Sequence, residues 1–167
     1  VRAYTAPFYY EEPVRQGVLT YKFGNAPARG KVFGRMLGED LLSRGIDDFD
    51  LISWVPLSAK RYRRRGYDQA QLLAEAAAEV LGTKAVPLLR KARDVSPQSR
   101  LRTPEERRAN ISGCYVVRSA DAVRGKRILL IDDVITTGST LSECARMLLT
   151  AGAVSVRGAA LACHREE

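Results

Sequence analysis

Apolar residues along this chain fall into two alternating rhythms. Val32, Phe33, Met36, Leu37 and Leu41 recur at helical spacing and predict a core-facing helix over 28–43, ended by Gly45. Residues 51–55 form a short apolar-rich run closed by Pro56, the pattern of a buried strand. Leu72, Leu73, Ala76, Val80 and Leu81 return to the helical period, with Asp68 and Gln71 as capping residues and Gly82 as the stop. Brief strands are expected at 86–89 and near 115–117. Residues 128–131 are apolar throughout, as for a strand covered on both faces. Leu141, Cys144, Ala145, Leu148 and Leu149 then predict a helix, with Thr140 and Glu143 as a capping box and Gly152 closing it. A final strand is expected over 154–160, and residues 14–22 make a short amphipathic stretch near the start. Strands alternating with helices imply an α/β fold with a mostly parallel central sheet flanked by helices. A chain of 167 residues is enough for one domain with a single core.

Residues 90–110 break the rhythm. They are rich in Arg, contain Pro97 and Pro104, and lack clear periodicity, which in a compact domain predicts a functional lid or disorder. No internal repeat, interdomain linker or low-complexity segment is evident.

Charge adds a second layer. The chain carries a net +8, and from Lys60 to Arg108 thirteen Lys and Arg face six Asp and Glu, so +7 of the excess lies in one span. Such concentration focuses a positive potential on a polyanion, either the diphosphate of a small substrate or a nucleic acid such as single-stranded DNA. Cys114, Cys144 and Cys163 are widely spaced and odd in number, as expected of small core residues in a reducing compartment. His164, the only histidine, is expected on the surface. No apolar run approaches the roughly 18 residues of a membrane span. Glu11, Glu12 and nearby prolines differ from a signal peptide, so a cytoplasmic location is expected. Val1 is not an initiator, as in a fragment or a processed chain.

The densest chemistry lies at Arg127-Ile-Leu-Leu-Ile-Asp-Asp-Val-Ile-Thr-Thr-Gly-Ser-Thr140. A buried strand ends in two carboxylates, and a hydroxyl-rich loop then enters a helix N-terminus. Unpaired amides and the positive dipole end suit a phosphate there. Asp132 and Asp133, at the carboxyl end of a parallel strand, suit sugar hydroxyls or magnesium. Together these meet the requirements of a ribose 5-phosphate site. There is no Gly-x-Gly-x-x-Gly after a strand, and no Gly-x-x-x-x-Gly-Lys-Ser/Thr.

That segment resembles the phosphoribosyl-pyrophosphate signature of the type I phosphoribosyltransferases. Tyr21-Lys-Phe-Gly24, Val55-Pro-Leu-Ser58, Arg65-Gly-Tyr-Asp-Gln-Ala70, Pro97-Gln-Ser99 and Glu106-Arg-Arg-Ala-Asn110 precede it in order. Together they resemble the ComF family of bacterial competence-associated, phosphoribosyltransferase-like proteins, from about Tyr9 to Leu161. Members usually begin with a small cysteine-rich zinc module; these residues hold no counterpart, so no zinc function is carried over. The resemblance implies a type I phosphoribosyltransferase fold over 1–167, with a hood or N-terminal element at 1–45 and a core at 46–167 holding a mobile loop at 90–110. It implies binding of 5-phosphoribosyl 1-pyrophosphate and Mg, with transfer of phosphoribose to an unidentified acceptor. The alternative is a non-catalytic nucleic-acid-handling or ligand-sensing protein of DNA uptake, with competence proteins as partners.

Residue roles follow from the same resemblance. Thr136, Thr137, Gly138, Ser139 and Thr140 would cradle the 5-phosphate. Asp132 and Asp133 would bind ribose hydroxyls, directly or through Mg, and steady a positively charged ribosyl transition state. Ser58, Lys60 and Arg61 occupy the place of the pyrophosphate loop, although a surface turn with solvated charges has the same pattern. Arg63, Arg64 and Arg65 reach either substrate or an outside polyanion. Tyr67 and Gln69 match family positions, and Tyr67 equally suits half-buried packing. Residues 90–102 match the mobile catalytic loop, with Arg93 or Arg100 as the cation brought over the leaving diphosphate.

Overall fold

The computed structural model describes residues 4–94, 103 and 111–165. A five-stranded parallel sheet forms its centre. Strand β6 (Arg127–Ile135) lies between β3 (Leu51–Trp54) and β7 (Ser155–Cys163), while β1 (Tyr4–Thr5) and β2 (Phe8–Tyr9) pair with the far edge of β7. Six helices accompany it among the described residues: α1 (Val14–Phe23), α2 (Ala28–Ser43), α3 (Ala59–Arg65), α4 (Gln69–Val80), α5 (Ala120–Val123) and α6 (Ser139–Thr150).

The apolar run of β6 explains why helices cover both faces. Leu129 and Ile131 enter one core with Leu37, Leu41, Leu73 and Leu161; Ile128 and Leu130 enter the other with Leu141, Cys144 and Leu148. Each fully buried aliphatic side chain contributes about 1.5–3 kcal/mol relative to exposure. The strand extends four residues beyond the apolar run and carries both acids inside its paired length.

Two elements differ from the periodicity. The expected strand at 86–89 is divided: Ala85 bridges Ile52 beside β3, and β4 (Leu89–Lys91) turns away to pair antiparallel with β5 (Tyr115–Val117). Helix α3 was not anticipated, because a seven-residue segment of mostly Lys and Arg has no apolar stripe to reveal it. It is set by its ends: Ser58 Oγ accepts from Arg61 N, and Gly66 closes it at φ 86°.

Helix α2 has the expected bounds, and of the expected inward residues Phe33, Leu37 and Leu41 face the core while Val32 and Met36 do not. Val32 is 58% exposed and Met36 39%, whereas Gly30, Gly34 and Gly38 are buried with Leu37 and Leu41. Three glycines four residues apart make a groove in which α4 lies. A Cβ on Gly34 would stand 2.6 Å from Ala76 Cβ and 2.7 Å from the Leu73 carbonyl oxygen. The helices are therefore closer than side chains on both would allow, and hydrophobicity alone misses the glycine part of the inward face.

Among the described residues no helix is long and apolar enough to cross a membrane. The glycine groove gives a direct stability test. Gly34→Ala should cost about 1–3 kcal/mol by overpacking, despite gaining about 1 kcal/mol in helix propensity. At Gly17 an added Cβ meets only Phe33 Cζ at 3.5 Å, so Gly17→Ala should be neutral or stabilising. Urea melts of both variants check this; a Gly34→Ala protein as stable as the parent would disprove the tight α2–α4 contact.

Candidate functional site

The carboxyl end of the sheet opens into a cavity of about 350 Å³, walled by β6, the turn after β3, the β4–β5 ribbon and the tip of α1. Asp132, Asp133, Thr136 and Thr140 line it together with Arg61, Lys22, Gln69, Lys91 and Tyr115.

The two acids lie in different surroundings. Asp133 is 5% exposed, and its Oδ2 stands 3.0 Å from Lys22 Nζ. This contact depends on charge more than direction, since no well-aligned hydrogen bond reaches Oδ2. Burial alone would raise the Asp133 pKa, but Lys22 outweighs it and holds the group below the ordinary carboxylate value. Asp132 is only part-buried, and among the described residues it has no ion pair. Burial and the neighbouring Asp133 charge push its pKa well up. The two titrate as one coupled unit. Asp132 is thus the group that gains most from a cation arriving in the cavity.

Beside them the loop bends at Gly138, whose φ of 71° a side chain would resist, and α6 begins there. Thr137 and Ser139 hydroxyls lie 2.8 Å apart, and Ser139 N–H reaches Thr137 Oγ1 at 3.4 Å. The expected capping box does not form. The N-cap is Gly138 rather than Thr140, and Glu143 instead pairs with Arg146 at 2.8 Å and accepts from Gly113 N at 3.1 Å. The first-turn amides of α6 therefore receive no carboxylate from Glu143; Ser139 N–H turns to Thr137 Oγ1 and Ser142 N–H to the Gly138 carbonyl, and the helix N-terminus keeps its positive dipole end toward the cavity rim.

The opposite wall is cationic. Lys91 projects from β4 with Nζ 5.3 Å from the Tyr115 ring centroid. Burial, then the nearby Arg61 charge, lower its pKa. Two cations held together in this way define an anion position between them. Asp68 fastens this wall to α4: Oδ2 accepts from Leu57 N at 2.8 Å, and Oδ1 caps Ala70 N and Gln71 N. Gln71 does not return the cap; its amide donates to Glu75.

The remaining sequence candidates divide. Ser58 is buried and spends its hydroxyl capping α3, away from the cavity lining. Lys60 is exposed and outside the lining. Arg93 donates to the Ser112 carbonyl at 2.7 Å and is also outside it. Arg100, like most of the loop at 90–110, lies outside the described residues. Tyr67 packs against Tyr21, with ring centroids 5.8 Å apart, and its hydroxyl donates to the Tyr21 carbonyl. Lys22 and Lys91 were not singled out from sequence. Each stands inside a segment the resemblance had marked, but only the fold brings Lys22 to Asp133 and Lys91 to the cavity lining.

This arrangement belongs to a class found in known proteins. The Phosphoribosyl transferase domain family model matches residues 68–167, and the chain belongs to that family. Within it, the resemblance to ComF proteins is borne out. The chain is 32% identical to Competence protein ComFC of Streptococcus pneumoniae over 155 residues, covering 93% of this chain and 66% of that protein. It is 31% identical over 153 residues to DNA utilization protein YhgH of Salmonella typhimurium, covering 89% and 66%. It therefore spans slightly under two thirds of the length of these relatives. Among solved structures, glutamine phosphoribosylpyrophosphate amidotransferase from B. subtilis matches with a TM-score of 0.53 at 25% identity, over 77% of this chain and 25% of that one. The type I phosphoribosyltransferase fold expected from the sequence is the one observed.

The unequal acids predict opposite effects of neutralisation in metal-free buffer near pH 7. Asp133 has a depressed folded-state pKa, so its contribution is present above its unfolded value of 3.8 and is lost as pH falls through the folded value. Asp133→Asn should cost about 3–5 kcal/mol by leaving Lys22 unpaired. Asp132 has a raised folded-state pKa, so its ionised form opposes folding increasingly as pH rises from 3.8 through the folded value. Asp132→Asn should therefore stabilise. Denaturant melts from pH 4 to 8 check the pair, and equal effects at both positions would contradict the asymmetry.

Proposed function

We propose that this cavity binds 5-phosphoribosyl 1-pyrophosphate with magnesium, and that the chain transfers phosphoribose to an acceptor nucleophile. The observation that carries this reading is the meeting, in one cavity, of an acid pair, a hydroxyl-lined helix N-terminus and two converging cations. The loop from Thr136 to Thr140 would hold the 5-phosphate, Asp132 and Asp133 the ribose hydroxyls, and Arg61 with Lys91 the diphosphate. Ser58 positions Arg61 by capping its helix.

Charge development decides the chemistry. As the bond from ribose C1 to the diphosphate lengthens, the departing oxygens keep the electron pair and negative charge grows beside Arg61 and Lys91. Positive charge on the ring grows toward Asp132 and Asp133. Groups already fixed at both ends stabilise this separation without reorganising. The donor set suits magnesium: the described residues offer no group of three or more metal-binding side chains, and Mg²⁺ commonly uses one or two carboxylates completed by substrate oxygens and water. Bound there, it would neutralise diphosphate charge and relieve the repulsion that raises the Asp132 pKa.

Phosphoribosyl pyrophosphate should raise thermal stability only with magnesium, by about 2.7 kcal/mol at a hundredfold excess over Kd. Asp132→Asn with Asp133→Asn should abolish the shift, while Arg61→Ala and Lys91→Ala should each weaken binding about tenfold. A full shift in the double aspartate variant would defeat the assignment. Pyrophosphate release in a screen of bases would then identify the acceptor.

A second reading is supported by the relatives' names, Competence protein and DNA utilization protein, and by the arginines of α3. Here the fold serves nucleic-acid handling in DNA uptake and the cavity senses a ligand. Binding of single-stranded DNA should then fall by about one log unit per log salt for each phosphate contact. Absence of DNA binding at any salt concentration would remove this reading.

A further inference from the structure

The arginines of α3 do not act as one patch. Arg63 lies along a groove with Trp54 and Glu75, whereas Arg64 and Arg65 face a different cavity, of about 620 Å³, between α3 and the tip of α1. This second cavity shares Lys22 and Arg61 with the first, then continues outward past Phe23, Asn25 and Tyr67. Its volume is within the roughly 300–1,000 Å³ usual for small-ligand sites.

Two observations characterise it. Some arginines elsewhere are matched to carboxylates, as in Arg44–Asp40, Arg127–Asp50 and Arg146–Glu143, and others stand singly on the surface; what sets this wall apart is that several cations converge on one cavity. Among the described residues no such ion pair is made by Arg61, Arg64 or Arg65, and Lys22, which is paired, is committed to Asp133. The wall therefore holds uncompensated positive charge. In the same wall stands Phe23, 67% exposed and the most exposed large apolar side chain among the described residues. The Arg65 guanidinium carbon lies 5.3 Å from its ring centroid, held there as Arg65 Nη1 donates to Gln69 Oε1. A phosphate alone would need only the cations. An aromatic platform flanked by guanidinium groups suits a ring stacked on Phe23 with an anionic group beside it.

We propose that this outer cavity is a separate binding site for a nucleotide unit, its base on Phe23 and its phosphate on Arg64. The unit comes either from a free mononucleotide or from a residue of a single strand. The site does not depend on the donor assignment of the inner cavity, and its decisive residues, Phe23 and Arg64, lie outside that cavity's lining.

The test titrates the full chain with adenosine 5′-monophosphate and with a short oligothymidylate near physiological ionic strength. Parallel titrations follow phosphoribosyl pyrophosphate with magnesium. Phe23→Ala should weaken the nucleotide ligand about tenfold, the scale of one lost base stack. Phe23→Trp should retain affinity, and Arg64→Ala should weaken binding with a shallower salt dependence. Binding of the mononucleotide supports a free ligand; binding of the oligonucleotide alone supports a strand. Binding of neither overturns the proposal, as does nucleotide binding indifferent to Phe23→Ala. A Phe23→Ala protein that also loses phosphoribosyl pyrophosphate would place Phe23 in the inner site and overturn the separate one.

Discussion

The contact between Lys22 and Asp133 is the constraint around which the site is arranged. A carboxylate at the carboxyl end of a central strand is difficult to keep ionised under a covering helix. The ammonium from α1 makes that burial tolerable and brings the tip of the helix to the rim of the sheet. Neutralising Asp133 leaves Asp132 as the part-buried acid with the raised pKa. Lys22 then forms part of both cavities, so one ion pair divides the basic surface into inner and outer compartments.

Charge in the rest of the molecule follows a similar division. Among the described residues, the basic side chains from Lys60 to Arg93 do not form a uniform basic face. The helical turn of α3 separates Arg61, Arg64 and Arg65 from Arg63, and β4 carries Lys91 inward while Arg90 is exposed. Neighbouring cations with similar sequence context thus line different cavities.

Elements whose stability comes from local pattern were legible in the sequence. The bounds of α2 and β5, and the doubly covered β6, follow from apolar period and terminating glycines. The inward face of α2 was legible at Phe33, Leu37 and Leu41 but not at its glycines, because close packing there depends on the absence of side chains, which a hydrophobic count cannot register. Thr140 and Glu143 have capping-box spacing, yet the positive φ of Gly138 starts the helix earlier, and Arg146 and the Gly113 amide engage Glu143 instead. Of the sequence candidates, Asp132, Asp133, Thr136, Thr140 and Arg61 line one cavity because they lie at or just beyond the ends of the neighbouring strands β6 and β3. Lys22 escaped notice because it reaches the acids from over a hundred residues away in the chain. Lys91 did so because its strand leaves the central sheet.

That departure has an evolutionary consequence. The β4–β5 ribbon closes on itself through Lys91 opposite Tyr115 and through Ala92 N–H to the Cys114 carbonyl at 2.6 Å. Whatever chain runs between Ala92 and Cys114 is stapled at its base, independently of the β6 ladder. Doubling the length of a flexible loop adds only about 0.6 kcal/mol of closure entropy. Changes of length there can accumulate without disturbing the register of the central sheet, whose ladder lies elsewhere.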